Sequence, residues 1–201
     1  MHRYVVDVPA PRIAMTPRLG ISQPGMDQSW GVAGSLTRLQ RMLVGTDGTL
    51  THMLEAYADE PIEVEKLFQA YDTATERDAA LALARGARVL RRRVVLRGRH
   101  SGRNLLYAEA VVAVERVSAS FLDDLMRTDK PLGVLLRDHR TETLREILAV
   151  GFEPAGSSGV HFGIGPDDEA VFRTYRVVAA THPIIAITER FPADYFRSLA
   201  D

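Results

Sequence analysis

The chain has 201 residues, 46% of them hydrophobic and 25% charged, with 25 Lys+Arg against 26 Asp+Glu and no cysteine. That balance suits one globular domain with a sizeable core. A formal net charge of −1 gives no general pull toward nucleic acid or anionic membrane, and the lack of cysteine rules out a disulfide framework, thiol catalysis and Cys-ligated metal.

Residues 1–34 hold Pro9, Pro11, Pro17 and Pro24 with scattered glycines. They read as an irregular extension, with Tyr4-Val5-Val6 as a short edge strand, and residues 35–201 read as the domain. No secretory signal and no bilayer-spanning window is evident, so a cytoplasmic protein is expected. No repeat period is visible. Ser35 is placed to cap a helix carrying Leu36, Leu39, Met42 and Leu43, stopped by Gly45. A second helix starts at Thr49 or Thr51 and carries Leu50, Met53, Leu54 and Tyr57, residues that plain core packing explains. Ile62–Phe68 opens with alternating apolar and polar residues and reads as a half-buried antiparallel strand. Thr75–Ala84 is a short alanine-rich helix broken by Gly86.

Arg88–Gly98 is a basic run whose simplest reading is a solvated face. Alternation separates one residue from that reading. Leu90, Arg92, Val94 and Leu96 share a face, so Arg92 is a cation in an apolar row. A row of arginines without interleaved aromatics is weak support for nucleic-acid binding. After a turn at His100–Arg103, Leu106, Ala108, Ala110, Val112 and Val114 form the apolar face of a second long strand, giving a hairpin. Ser118 or Ser120 caps a helix with Phe121, Leu122 and Leu125.

Lys130-Pro131-Leu132-Gly133 reads as a tight turn with exposed backbone N–H groups. Thr141 then starts a helix with Leu144, Ile147 and Leu148 inward, ended by Gly151. Residues Pro154–Asp168 hold four glycines and read as a loop; Gly163-Ile164-Gly165 lacks the third glycine and the strand–helix context of a nucleotide-binding loop. Val171–Val178 is a strand with Arg173 on one face and Arg176 on the other, and alternation leaves open which points inward. Ile184–Pro192 is the last strand of a second hairpin. Its row Ile185, Ile187, Glu189, Phe191 contains a carboxylate among apolar side chains, which demands a partner or a shifted pKa. The sum is five or six antiparallel strands with helices in the first half and the middle. That is an α+β fold in which one sheet face, covered by short helices, encloses a pocket.

No nucleophile elbow is present, and the six histidines never fall at metal-ligand spacing, so no metal is expected. Arg92 and Glu189 remain, on strands far apart in sequence. The plain structural reading, a buried Arg–Glu ion pair, stands first on the residues alone. The functional reading is a closed pocket in which the guanidinium holds a carboxylate and the carboxyl group handles a proton or hydroxyl.

Five motifs then stand in order: Gly48-Thr49-Leu50-Thr51, Leu90-Arg91-Arg92-Arg93-Val94-Val95-Leu96, Pro131-Leu132-Gly133, Arg173-Thr174-Tyr175-Arg176 and Ile187-Thr188-Glu189-Arg190-Phe191-Pro192. In order and spacing the chain resembles the chorismate lyase (chorismate pyruvate-lyase) family, especially its actinobacterial 4-hydroxybenzoate-forming branch, over roughly Ser35 to Pro192. The resemblance implies a single antiparallel sheet with flanking helices and a sealed ligand pocket, a fold shared with effector domains of transcription regulators. It implies a cofactor-free lyase whose partner is a small molecule, chorismate, rather than nucleic acid or membrane. It implies that Arg92 binds the ring carboxylate and that Glu189 contacts the ring hydroxyl and the reacting region. Backbone groups at Leu50 and Leu132, with Thr51 and Gly133 beside them, would complete the pocket. Arg173 or Arg176 would meet the enolpyruvyl carboxylate. The alternative on the same fold is a non-catalytic aromatic-acid sensor.

Overall fold

The computed structural model describes residues 36–46 and 50–196. The N-terminal extension, including the expected Tyr4–Val6 strand and Ser35, lies outside these residues, as do Asp47, Gly48 and Thr49. The chain order is α1 (Arg38–Gly45), α2 (Leu50–Ala58), β1 (Ile62–Thr73), β2 (Arg88–Gly98), β3 (Asn104–Ala113), α3 (Ala119–Arg127), α4 (Leu132–Asp138), β4 (Leu144–Pro154), β5 (Glu169–Ala179) and β6 (His182–Pro192). All six strands join one antiparallel sheet in the order β1-β2-β3-β6-β5-β4. This is the expected α+β architecture. It is also a topological repeat that the sequence did not reveal: two helices followed by a three-strand meander, twice, with the two meanders joined along β3 and β6.

The helix starts follow local capping chemistry. Thr37, not Ser35, caps α1 through a capping box: its hydroxyl accepts from the Gln40 N–H at 3.2 Å, and the Gln40 side chain accepts from the Thr37 N–H at 2.9 Å. Gly45 is the last residue of α1 rather than a stop before it. Met42 faces solvent at 56% exposure, so the apolar stripe of α1 is narrower than expected. Ser118 caps α3 by accepting from the Phe121 N–H at 3.1 Å. The expected helix over Thr75–Ala84 is a shorter 3₁₀ segment, Glu76–Leu81. Pro131-Leu132-Gly133 opens α4, with Pro131 at its N-cap, instead of forming a free turn.

The largest departure is at Thr141–Gly151. The expected helix is the edge strand β4, and its three "inward" residues are substantially exposed, Leu144 at 62%. Long-range pairing with β5 overrides the local helix-forming composition. A bulge between Ile147 and Ala149 also breaks the two-residue alternation that would have marked a strand. The segment after β4 is not loose. Ala155 N–H donates to Asp168 O and Gly156 N–H to Pro166 O, both at 2.8 Å, closing a neck around a 3₁₀ segment, Gly156–His161. A Cβ at Gly159 would lie 2.9 Å from the carbonyl oxygens of both Ile164 and Gly165, so that glycine permits a close backbone approach.

The helices cover one face of the sheet, and the core under them is split. One apolar cluster lies beneath α1 and α2, built on Leu43, Leu54 and Phe191. The other lies beneath α3 and α4, built on Leu125, Leu135 and Ile185. The opposite face carries charge. Arg190 bridges Glu109 and Glu153, and Arg176 pairs with Glu146. Among the described residues no helix is long and apolar enough to cross a membrane.

Candidate active site

Between the two apolar clusters the inner face holds a cavity of about 490 Å³, roofed by α2 and α4. Its floor explains its existence. Central strand β3 points Ala108 and Ala110 inward, and these short side chains leave room that leucines would fill. The volume falls in the range of small-molecule sites.

Arg92 enters this cavity from β2, opposite Ala110, and is only 2% exposed. Its Nη2 donates to Lys130 O at 3.1 Å and its Nη1 to Leu125 O at 3.5 Å. Among the described residues it makes no ion pair with a carboxylate. Burial pulls its pKa below the ordinary guanidinium value, and the charge of Asp129 opposes this only in part. Carbonyl oxygens satisfy part of the guanidinium's hydrogen-bonding capacity and leave its charge without an opposite one in contact.

Glu189 enters from β6, also nearly buried at 7% exposure. Its partner is Arg173, directly across on β5, whose Nε donates to Oε2 at 2.5 Å. Tyr175 donates its hydroxyl to the other oxygen, Oε1, at 3.0 Å. Burial first, and the Glu189 charge second, push the Tyr175 hydroxyl well above the usual phenol range, so it stays a donor. Arg173 Nη1 also donates to Leu43 O and Thr46 O, each at 2.8 Å, which ties the end of α1 to the site. The buried Arg–Glu pair expected from the sequence therefore exists, but with Arg173 in place of Arg92. Arg92 and Glu189 stand two strands and one inner-face row apart. Strand spacing of ~4.8 Å and a rise of ~3.3 Å per residue put their Cα atoms roughly 12 Å apart.

Leu50 and Thr51 of α2, and Leu132 and Gly133 of α4, line the same cavity as Arg92, Arg173 and Glu189. Arg176 does not. It lies on the outer sheet face, with Nε donating to Glu146 at 2.5 Å and Nη1 reaching Ala80 O at 3.4 Å. The choice left open between Arg173 and Arg176 is thus settled in geometry: Arg173 is the inner one. Sequence reasoning passed over Tyr175, although its parity with Arg173 was visible, and also Arg137 and Arg145, which line the cavity from α4 and β4. Among the described residues no group of three or more histidine and acidic side chains is placed to hold a metal ion.

The family described as "Chorismate pyruvate-lyase Rv2949c-like" matches residues 43–199. The chorismate pyruvate-lyase of Mycobacterium tuberculosis (strain H37Rv) is 31% identical over 166 residues, covering 81% of this chain and 83% of that protein. The Mycobacterium leprae (strain TN) chorismate pyruvate-lyase is 30% identical over 164 residues, covering 81% and 78%. Among solved structures, the effector domain of PhnF from Mycobacterium smegmatis aligns with a TM-score of 0.57 at 17% identity, covering 73% of this chain and 90% of that one. The C-terminal domain of the histidine utilization repressor from Pseudomonas syringae aligns at 0.56 with 16% identity, covering 70% and 97%. These two likenesses concern the fold alone. The sequence matches go further, spanning most of the described domain and four-fifths of the chain, and on them the protein belongs to the Rv2949c-like chorismate pyruvate-lyase family.

Proposed function

We propose that this protein is a chorismate pyruvate-lyase, eliminating pyruvate from chorismate to leave 4-hydroxybenzoate without a cofactor. The observation that carries the reading is the pairing pattern in the cavity. Among the described residues Arg92 is a buried cation with no carboxylate partner, while Glu189 is held at the other side by Arg173 and Tyr175. A ring bearing a carboxylate at one end and a hydroxyl at the other fits that asymmetry. Arg92 takes the ring carboxylate, and Glu189 takes the ring hydroxyl and borders the reacting carbons. Backbone at Leu50 and Leu132, with Thr51 and Gly133, closes the pocket around the ring. A small-molecule substrate and a cytoplasmic setting go with this reading.

The chemistry asks little of the protein. The C–H bond at the hydroxyl-bearing carbon breaks and its electron pair completes the aromatic ring. The neighbouring ether C–O bond breaks, and its pair leaves on the enolpyruvate oxygen. The enolpyruvate then takes a proton at its methylene carbon to become pyruvate. Aromatisation supplies the driving force. The site contributes orientation, exclusion of water and donors near the developing charge. Arg173 and Tyr175 are positioning residues here, since each donates a hydrogen bond to the Glu189 carboxylate.

The test is pyruvate release from chorismate by the purified full-length chain, read through a coupled dehydrogenase, with the aromatic product identified. Pyruvate and 4-hydroxybenzoate in equal amounts are expected. Arg92→Ala and Glu189→Gln should each lower kcat/KM by at least about 100-fold, the scale of losing a charge-assisted contact in a dry site. Tight binding of 4-hydroxybenzoate by a folded protein that releases no pyruvate would instead point to the aromatic-acid sensor.

A further inference from the structure

Chorismate carries two carboxylates, and the site as described so far holds one. Arg176 faces away from the cavity, and Arg173 spends its Nε on Glu189 and its Nη1 on two backbone carbonyls. Two further arginines reach the same cavity, from its opposite wall. Arg145 stands on β4 in register with Val177, an inner-face residue that itself lines the cavity. Its Nη2 lies 3.5 Å from where a Cβ on Gly133 would sit, so the guanidinium is laid against the first turn of α4 where that residue has no side chain. Its β5 partner Val177 is the inner-face residue next to Tyr175, whose hydroxyl bonds Glu189. Arg137 projects from the last turn of the same helix.

We propose that Arg145, assisted by Arg137, forms a second anion subsite on the α4–β4 wall, and that it binds the enolpyruvyl carboxylate of the substrate. The inference rests on the lyase reading above. Cations on both walls recognise a dianion by its two ends and set the ether between them. The leaving enolpyruvate then keeps its carboxylate on Arg145 as the ring aromatises on Arg92. The product 4-hydroxybenzoate has lost that second carboxylate and has no use for the subsite, so the subsite favours substrate over product.

The experiment uses the full-length chain with Arg145→Gln, Arg145→Lys, Arg137→Gln and the Arg137→Gln/Arg145→Gln double variant, measuring KM for chorismate and competitive inhibition by 4-hydroxybenzoate. Arg145→Gln is expected to raise KM for chorismate about 10–100-fold, the equivalent of a charged hydrogen-bond pair. Its inhibition constant for 4-hydroxybenzoate should stay within about twofold, on the same scale. Arg145→Lys should fall between Arg145→Gln and the parent, because it keeps the charge and loses the planar fork. Arg137 is exposed, so Arg137→Gln keeps the test alive if Arg145 variants fail to fold. An unchanged KM in the double variant, or equal losses for substrate and product, overturns the subsite. If the parent protein releases no pyruvate, it is the lyase reading that fails. Calorimetric titration then still decides the subsite: a preference for chorismate over 4-hydroxybenzoate that Arg145→Gln abolishes supports it, and no such preference overturns it.

Discussion

Arg92 and Glu189 looked alike in the sequence, each a charge in an apolar row, yet they stand in opposite energetic positions. Glu189 is neutralised by Arg173, and breaking a buried pair strands the remaining charge. Glu189→Gln should therefore cost about 3–5 kcal/mol of stability as well as activity. Among the described residues Arg92 has no such partner, so its burial is a standing cost. Arg92→Met, which keeps the volume and removes the charge, should abolish turnover while leaving stability unchanged or raising it by up to about 2 kcal/mol. Urea unfolding of the two variants without ligand checks this, and a loss for Arg92→Met equal to that for Glu189→Gln would mean that Arg92 is a structural residue. Alternation sufficed to find both charges because each sits mid-strand with two residues of regular pleat on either side. It could not find the partner, because which strands neighbour one another is a property of topology and not of period.

Among the elements, β4 taught the most. Thr141–Gly151 offers Leu144, Ile147 and Leu148 at helical spacing, and a strand with a bulge imitates that spacing closely. An edge strand also has little need of an apolar face, so burial leaves no clear signature in its residues. The same misreading hid Arg145, since a helix that turns Leu144 and Ile147 inward turns Arg145 outward. Leu144→Lys separates the two structures in one measurement. On the exposed strand position it should change stability by no more than about 0.5 kcal/mol. In a helix with Leu144 in the core it would cost about 2–5 kcal/mol. The strands β2, β3, β5 and β6 were legible for the opposite reason. They are central, one face of each is buried, and their turns are short enough for two of the hairpins to be read directly.

Taken whole, the molecule is two meanders of the same build joined along one seam, β3 against β6. The sequence showed no repeat because the halves share topology without sharing residues. Their division of labour is nonetheless plain: Arg92 belongs to the first half, and Glu189, Arg173, Tyr175 and Arg145 to the second. Saturating 4-hydroxybenzoate at 100 times its Kd should stabilise the folded chain by about 2.7 kcal/mol. Native-state hydrogen exchange will show where. Protection is expected to rise most in the β3 and β6 amides, and a rise confined to α2 and α4 would mean that the ligand only seals a lid. Each meander can pair from residues near in sequence, but the seam joins strands about 80 residues apart, as Ala108 with Glu189 illustrates, and by contact-order reasoning it closes late. The pocket does not exist until that closure. On the proposed binding mode, a substrate held by Arg92 on one side and Glu189 on the other would act as a rivet through the last joint of the fold to form, held more firmly as the ligand concentration rises.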